Sequence, residues 1–136
     1  MDAKVLDSWA ILAWMKNEAR GSKVRDLFDQ AGSRALVLHC SAINAGEVYY
    51  HLARLGRRTE AELFWGSLIS GNAPLRLAPA TVERIRTAAE IKATYPLAYA
   101  DAFAVALARE MSCALVTGDP EIRRPADDGL IAVERL

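Results

Sequence analysis

The sequence contains few cysteines and no grouping of them that would bind a metal. Cys40 and Cys113 are the two cysteines, and each follows or precedes a hydrophobic run. No Cys-x-x-Cys pair and no Cys/His ligand cluster occurs in the 136 residues. We therefore expect two buried thiols in a reducing cytoplasm, while the sequence leaves a disulfide between them open.

The chain also lacks an excess of charge and a long hydrophobic run. The 17 basic and 17 acidic residues give a formal charge of zero, so total charge indicates neither a nucleic-acid nor a membrane partner. The N-terminal stretch MDAKVLDSWAILAWMK has no signal-peptide layout and is too short in its apolar part to span a bilayer. A length of 136 residues with 52% apolar residues predicts one globular domain over 1–136 with a real core.

Short apolar runs alternate with amphipathic segments along the chain. The pattern predicts strands at 5–6, 35–40, 74–79, 113–118 and within 130–136. Helices are predicted from about 9, and at 19–32, 41–55, 58–70, 81–93 and 99–111, with Ser8, Ser41 and Thr81 as N-caps. This alternation predicts an α/β domain with a mostly parallel sheet, and a helical hairpin over 41–70.

Four acids stand close to the ends of predicted strands. Asp7 follows the first strand, Asp119 follows the fourth, Glu47 is in the helix after the second strand, and Asp101 opens the helix before the fourth. Ligands of open parallel sheets bind outside the carboxyl ends of the strands. We therefore expect these four carboxylates to share one edge of the sheet.

Three of these acids have no cation nearby in the sequence. Asp101 has Leu97 and Val105 four residues away on either side, and only Asp119 has an arginine, Arg123, at that distance. Converging carboxylates repel one another unless a hard divalent cation neutralises them, and Mg²⁺ and Mn²⁺ prefer oxygen ligands. The pattern indicates metal-dependent hydrolysis of a phosphodiester.

Four segments resemble the PIN-domain ribonucleases, and in particular the VapC-type toxins of bacterial toxin–antitoxin pairs. They are VLDSWAILAW, SAINAGEVYY, YPLAYADAFAVALA and LVTGDPEI, which follow one another in this order over nearly the whole chain. The resemblance implies a PIN-like three-layer α/β/α domain with a five-stranded, mostly parallel sheet.

The resemblance also implies roles for individual residues. Asp7, Glu47, Asp101 and Asp119 would form an acidic site for Mg²⁺ or Mn²⁺, with Asp7 and Asp101 as the closest ligands. Ser8 and Thr117, beside the first and last acids, would hydrogen-bond those carboxylates or ordered waters, and Asn44 would act in the same way. The implied activity is endonucleolytic cleavage of RNA, in transfer or ribosomal RNA, by a cytoplasmic homodimer that a small antitoxin protein inhibits.

Other α/β enzymes that handle phosphate are less compatible with the sequence. The run DSW after the first strand lacks the second acid of a haloacid-dehalogenase phosphatase, no acceptor aspartate follows PLRLAP as a receiver domain requires, and no P-loop motif occurs. Two alternatives of the same fold stay open: a catalytically silent PIN-like interaction module, and a nuclease that acts on DNA.

Side chains outside the four acids give weaker signals. We expect His39 and His51 to be structural. The arginines Arg54, Arg57, Arg58, Arg123 and Arg124 are candidates for contacts with an RNA backbone, although a solvated face explains them equally well. Among the aromatic residues, no position is singled out for stacking on bases.

Overall fold

The computed structural model describes residues 2–136 and contains one five-stranded sheet in that range. Its strands are β1 (Asp2–Leu6), β2 (Leu36–Ser41), β3 (Arg76–Ala78), β4 (Ala114–Thr117) and β5 (Val133–Arg135). The strand order is β3-β2-β1-β4-β5, and every neighbouring pair is parallel. The predicted α/β class and five-stranded sheet are confirmed, and the sheet is parallel throughout rather than mostly parallel.

Helices connect the strands, as parallel pairing requires. They are α1 (Ser8–Met15), α2 (Gly21–Gly32), α3 (Ala42–Arg54), α4 (Arg58–Ser70), α5 (Val82–Thr94), α6 (Tyr99–Glu110) and α7 (Arg123–Asp127). The six longer helices lie within about two residues of their predicted bounds, and α3 and α4 form the expected hairpin. A 3₁₀ turn (Pro120–Ile122) and α7 replace the simple turn predicted after β4, because segments this short show no hydrophobic periodicity.

The predicted N-cap of α1 was wrong by one residue. Asp7 is the cap: its backbone is extended at φ −86° and ψ 176°, and its Oδ1 accepts a hydrogen bond from the Ala10 N–H at 2.8 Å. Ser8 is the first helical residue, which frees its hydroxyl for another partner. The caps Ser41 and Thr81 are confirmed, since each side chain accepts from a backbone N–H in the first turn of its helix.

Two hydrophobic cores cover the two faces of the sheet. Successive strand residues point to opposite faces, so Leu6 and Val116 pack in one core while Val5 and Leu115 pack in the other. Residues of α1 to α4 fill the first core, and residues of α5 and α6 fill the second. This arrangement confirms the three-layer α/β/α architecture.

The sheet order places a topological switch point between β1 and β4. From β1 the chain adds β2 and then β3 on one side, and later adds β4 and β5 on the other. The crevice outside the carboxyl ends of β1 and β4 is where open α/β sheets bind ligands. Asp7 directly follows β1, and Asp119 lies two residues after the end of β4.

Two further findings concern the cysteines and the membrane. Cys40 is buried, Cys113 is half-buried, and both are free thiols, so they do not form a disulfide. Across residues 2–136, no helix combines the length and the apolar character that crossing a membrane would require.

Candidate active site

A cleft of about 440 Å³ opens at the carboxyl ends of β1 and β4. Its walls come from α1, from α3, from the start of α6 and from the turn after β4. We call it the acidic cleft, and its lining residues are Ser8, Trp9, Leu12, Ala13, Lys16, Glu18, Glu47, His51, Ala98, Asp101, Asp119 and Glu121. Three of the four predicted acids line it, and the fourth, Asp7, is only 1% exposed and is hydrogen-bonded to Thr117 on β4.

Asp7 is held by two hydrogen bonds that use both of its carboxylate oxygens. Oδ1 caps α1 through the Ala10 N–H, and Oδ2 accepts from the hydroxyl of Thr117, which is fully buried at the end of β4. The pairing of Leu6 with Val116 brings the residues that follow them, Asp7 and Thr117, side by side. Burial, with smaller contributions from the nearby carboxylates of Asp119 and Glu47, raises the pKa of Asp7 to about 7 despite these two hydrogen bonds.

Glu47 is fixed by two neighbours that share one of its oxygens. Ser8 Oγ donates to Glu47 Oε1 at 2.8 Å, and Asn44 Nδ2 donates to the same oxygen at 3.3 Å. Asn44 Nδ2 also donates to the backbone carbonyl of Ala100 at 3.2 Å. Through these bonds α1, α3 and α6 are tied together at the cleft, and Oε2 of Glu47 is left without a donor among the described residues.

Asp101, Asp119 and Glu121 form the tightest group of carboxylates. One carboxylate oxygen from each lies within 4.8 Å of the other two. Asp119 Oδ1 accepts from the Glu121 N–H at 2.9 Å, which begins the 3₁₀ turn, and Glu121 Oε2 accepts from the Ala98 N–H at 3.3 Å. This group can hold a divalent cation through oxygen ligands alone.

The electrostatics of this group are unfavourable to three negative charges. Burial raises the pKa of Asp101 to about 9, and the charge of Asp119 and hydrogen bonding to the carboxyls of Asp119 and Glu121 contribute to the rise. Asp101 is 7% exposed and receives no hydrogen bond from an N–H donor in the described part of the chain. A proton or a metal ion is therefore needed to keep these oxygens together.

No lysine or arginine between residues 2 and 136 forms an ion pair with any of these acids. Arg123, which lies four residues after Asp119 in the sequence, makes no such pair. Instead Arg135 from β5 donates to the backbone carbonyl of Asp119 at 2.7 Å, which holds the loop without neutralising the carboxylate. The acids are thus concentrated in the cleft and left uncompensated.

The structure changes several details of the predicted site. Ser8 bonds to Glu47 rather than to Asp7, and Thr117 bonds to Asp7 while its Oγ1 accepts from the Asp119 N–H at 3.0 Å. Glu121 was missed, although it follows Asp119 by two residues in TGDPE; that spacing becomes meaningful only with the 3₁₀ turn. His51, expected to be structural, lines the acidic cleft one helical turn beyond Glu47.

Comparison with known proteins gives the same fold. The chain superposes on a VapBC2 complex from Rickettsia felis bound to a promoter DNA fragment with a TM-score of 0.72 and 14% identity, covering 98% of each chain. For the DNA-bound VapBC of Salmonella typhimurium the TM-score is 0.71 at 18% identity, covering 99% of this chain and 98% of that one. For VapC20 of Mycobacterium tuberculosis, a toxin that cleaves the sarcin–ricin loop, it is 0.69 at 18% identity, covering 90% and 94%.

Because these identities are low, the superpositions are evidence for a shared fold only. Comparison with curated protein sequences finds no match. The model of the PIN domain family matches residues 4–128, which contain all four predicted acids together with Glu121. The chain therefore belongs to the PIN domain family.

Proposed function

We propose that this protein is a metal-dependent endoribonuclease and the toxin of a type II toxin–antitoxin pair. The observation that carries the proposal is a group of five acids at the switch point of a PIN fold: four line the acidic cleft and the fifth, Asp7, is buried next to it. None of the five, which are Asp7, Glu47, Asp101, Asp119 and Glu121, is paired with a lysine or arginine among the described residues. Such a cluster is stable as a charged group only when a cation occupies it.

The donor set suits Mg²⁺ or Mn²⁺. All candidate ligands are carboxylate oxygens, which hard divalent cations prefer, and no thiol or imidazole stands within the compact group of Asp101, Asp119 and Glu121. Asp101 is buried and accepts no hydrogen bond from an N–H group of residues 2–136, so its oxygens are available. In this arrangement Asp101, Asp119 and Glu121 would hold the ion, and Glu47 would offer its free oxygen directly or through water.

Asp7 would have two roles in this proposal. Each of its oxygens accepts one hydrogen bond and keeps a further lone pair, so Asp7 would hold the start of α1 against the end of β4 and would offer a ligand to the ion. When bound, a divalent cation polarises a water and offsets the charge that builds on a phosphate. The chain's own contribution is to converge the carboxylates, to fix Glu47 through Ser8 and Asn44, and to accept the proton of the attacking water.

RNA is the proposed substrate, and a cognate antitoxin is the proposed partner. The support is the similarity of fold to VapBC complexes and to a toxin that cleaves an RNA loop, at identities between 14% and 18%. We propose transfer or ribosomal RNA as the target class and a homodimer as the working assembly in the cytoplasm. The single domain over 1–136 is part of the same proposal.

The test is cleavage of a structured RNA pool by the purified protein with Mg²⁺, Mn²⁺ or EDTA. Asp101→Asn and Asp119→Asn should each reduce cutting by about 100-fold or more, since each removes a charge from the proposed ion site. The matched control is Asp26→Asn on the exposed side of α2, which removes one carboxylate far from the acidic cleft. Cutting that survives EDTA or either cleft substitution would refute the mechanism.

Two arms of the experiment address the alternatives. Single-stranded DNA of matched sequence should be cut at least about 10-fold more slowly than RNA, because 2′-hydroxyl contacts distinguish the two. Faster cutting of DNA would replace the ribonuclease with a deoxyribonuclease. Folded protein that binds Mn²⁺ but cuts neither substrate would favour the silent interaction module.

A further inference from the structure

Two pairs of an arginine and an aromatic ring border the acidic cleft. On α1, Trp9 lines the cleft and the Arg20 guanidinium lies 5.5 Å from its ring centroid. On α3, the Arg54 guanidinium lies 4.9 Å from the Tyr50 ring. Tyr50 in turn stacks on His51, with ring centroids 4.7 Å apart and an interplanar angle of 27°, and His51 lines the cleft. We call these the arginine–aromatic pairs.

The side chains of these pairs are accessible. Arg20, Arg54 and His51 are exposed, and Tyr50 is 41% exposed. Neither arginine makes an ion pair with an acid in the region from 2 to 136, so both guanidinium groups are free to accept an anion. Trp9 is half-buried and seated against the backbone of Gly118, where an added Cβ would lie 2.5 Å from the ring.

The charge of the cleft makes such pairs necessary for a polyanionic ligand. The acids repel a phosphodiester backbone, and the basic side chains that line the cleft are Lys16 and His51. Lys16 lies 3.2 Å from the carboxylate of Glu18, which offsets its charge. Beyond the attraction of a bound cation, binding therefore depends on the borders, where each arginine–aromatic pair combines a cation for phosphate with a ring for a base.

We infer that the arginine–aromatic pairs bind single-stranded RNA on the two sides of the phosphate to be cut, an inference that rests on the proposed ribonuclease activity. Arg20 and Arg54 contact flanking phosphates, and an unpaired base extends the existing stack of Tyr50 and His51. Base stacking requires bases that are free of a helix, so the surface selects loops and unpaired segments over duplex RNA. Trp9, which packs against Gly118, forms part of the α1 wall of the cleft.

The test measures binding separately from cutting. Fluorescence anisotropy of a labelled single-stranded RNA is recorded in EDTA for the wild type, Tyr50→Leu, Arg20→Ala, Arg54→Ala and the control Arg25→Ala, an exposed arginine on α2 outside the cleft. Tyr50→Leu should weaken binding by about 10-fold, the scale of one lost base stack. Arg20→Ala and Arg54→Ala should each weaken binding and reduce the slope of log K against log salt by about 0.7.

Binding to duplex RNA and to single-stranded DNA is measured in the same way. Tyr50→Leu should leave duplex binding unchanged, and RNA should bind more tightly than DNA of the same sequence. The inference is overturned if Tyr50→Leu and both arginine variants match Arg25→Ala, if duplex binding falls equally, or if DNA is preferred. Loss of RNA binding in these variants together with no cutting by wild type in Mn²⁺ would reject the nuclease and keep the surface. Cutting by the wild type, together with RNA binding that the variants leave unchanged, would reject the surface and keep the nuclease.

Discussion

Replacing Asp101 with asparagine should stabilise the metal-free protein, although it removes a residue of the proposed site. Asp101 is 7% exposed, and burial together with neighbouring carboxylates raises its pKa from 3.8 to about 9. In the pH range between these two values the folded state keeps a proton that the unfolded state has lost. Stability contributed by this group is therefore complete below about pH 4 and declines as pH rises towards 9.

The magnitude follows from the size of the shift. One pKa unit corresponds to about 1.4 kcal/mol, so even half of the shift corresponds to roughly 3 kcal/mol at pH values near 8. Asparagine cannot ionise, and its amide can donate to the carboxylates of Asp119 and Glu121, which lie within 4.8 Å. We expect Asp101→Asn to raise the free energy of unfolding by at least about 2 kcal/mol, or the melting temperature by about 5–10 °C.

The assay is thermal unfolding followed by circular dichroism in EDTA, at about pH 5 and about pH 8. The gain in Asp101→Asn over wild type should be larger at the higher pH. Asp26→Asn, on the exposed side of α2, should change stability by less than about 0.5 kcal/mol at either pH. Added Mn²⁺ should raise the melting temperature of wild type and change that of Asp101→Asn much less. If Asp101→Asn unfolds below wild type at the higher pH without metal, the electrostatic reasoning is wrong.

Two further predictions concern the residues around the acids. Glu121→Gln should weaken Mn²⁺ binding by about 10-fold in calorimetry, because it removes one charged oxygen donor; an unchanged affinity would exclude Glu121 as a ligand. Asn44→Leu should lower kcat by about 10-fold because the asparagine positions Glu47. The melting temperature should stay near that of wild type, because the buried Oδ1 of Asn44 has no partner within residues 2–136. In a double-mutant cycle the Asn44→Leu effect should vanish in Glu47→Gln, and independent effects would contradict the positioning role.

The sequence was sufficient for the fold because its elements are strongly patterned. β4 is a continuous apolar run, ALVT, of the kind that occurs in a sheet covered on both faces. The caps Ser41 and Thr81 and the stop at Gly71 bound their helices closely, and Gly71 adopts the left-handed conformation expected of a C-cap, with φ 79°. Alternation of these elements then leaves few topologies to consider.

The site was predictable only in part, because its details depend on register and on short turns. Asp and Ser are equally good N-caps, so the pair Asp7-Ser8 is ambiguous until the backbone is known. The bond from Thr117 to Asp7 follows from the pairing of Leu6 with Val116, which no local pattern encodes. Glu121 joins Asp101 and Asp119 only because a 3₁₀ turn begins at Pro120.

The polar groups at this end of the sheet, which the proposed function requires, lower the free energy of unfolding of the metal-free protein. Asp7 is 1% exposed and Asp101 is 7% exposed, and burial raises the pKa of both. Asn44 is fully buried, and its Oδ1 has no partner in the part of the chain that the structure describes, which costs about 1–3 kcal/mol. Neutral side chains in these places would stabilise the metal-free fold, so stability alone does not explain the arrangement. In the proposed metal-bound state a cation would replace the protons that these carboxylates retain, and the free energy of its binding would offset the cost of burying them.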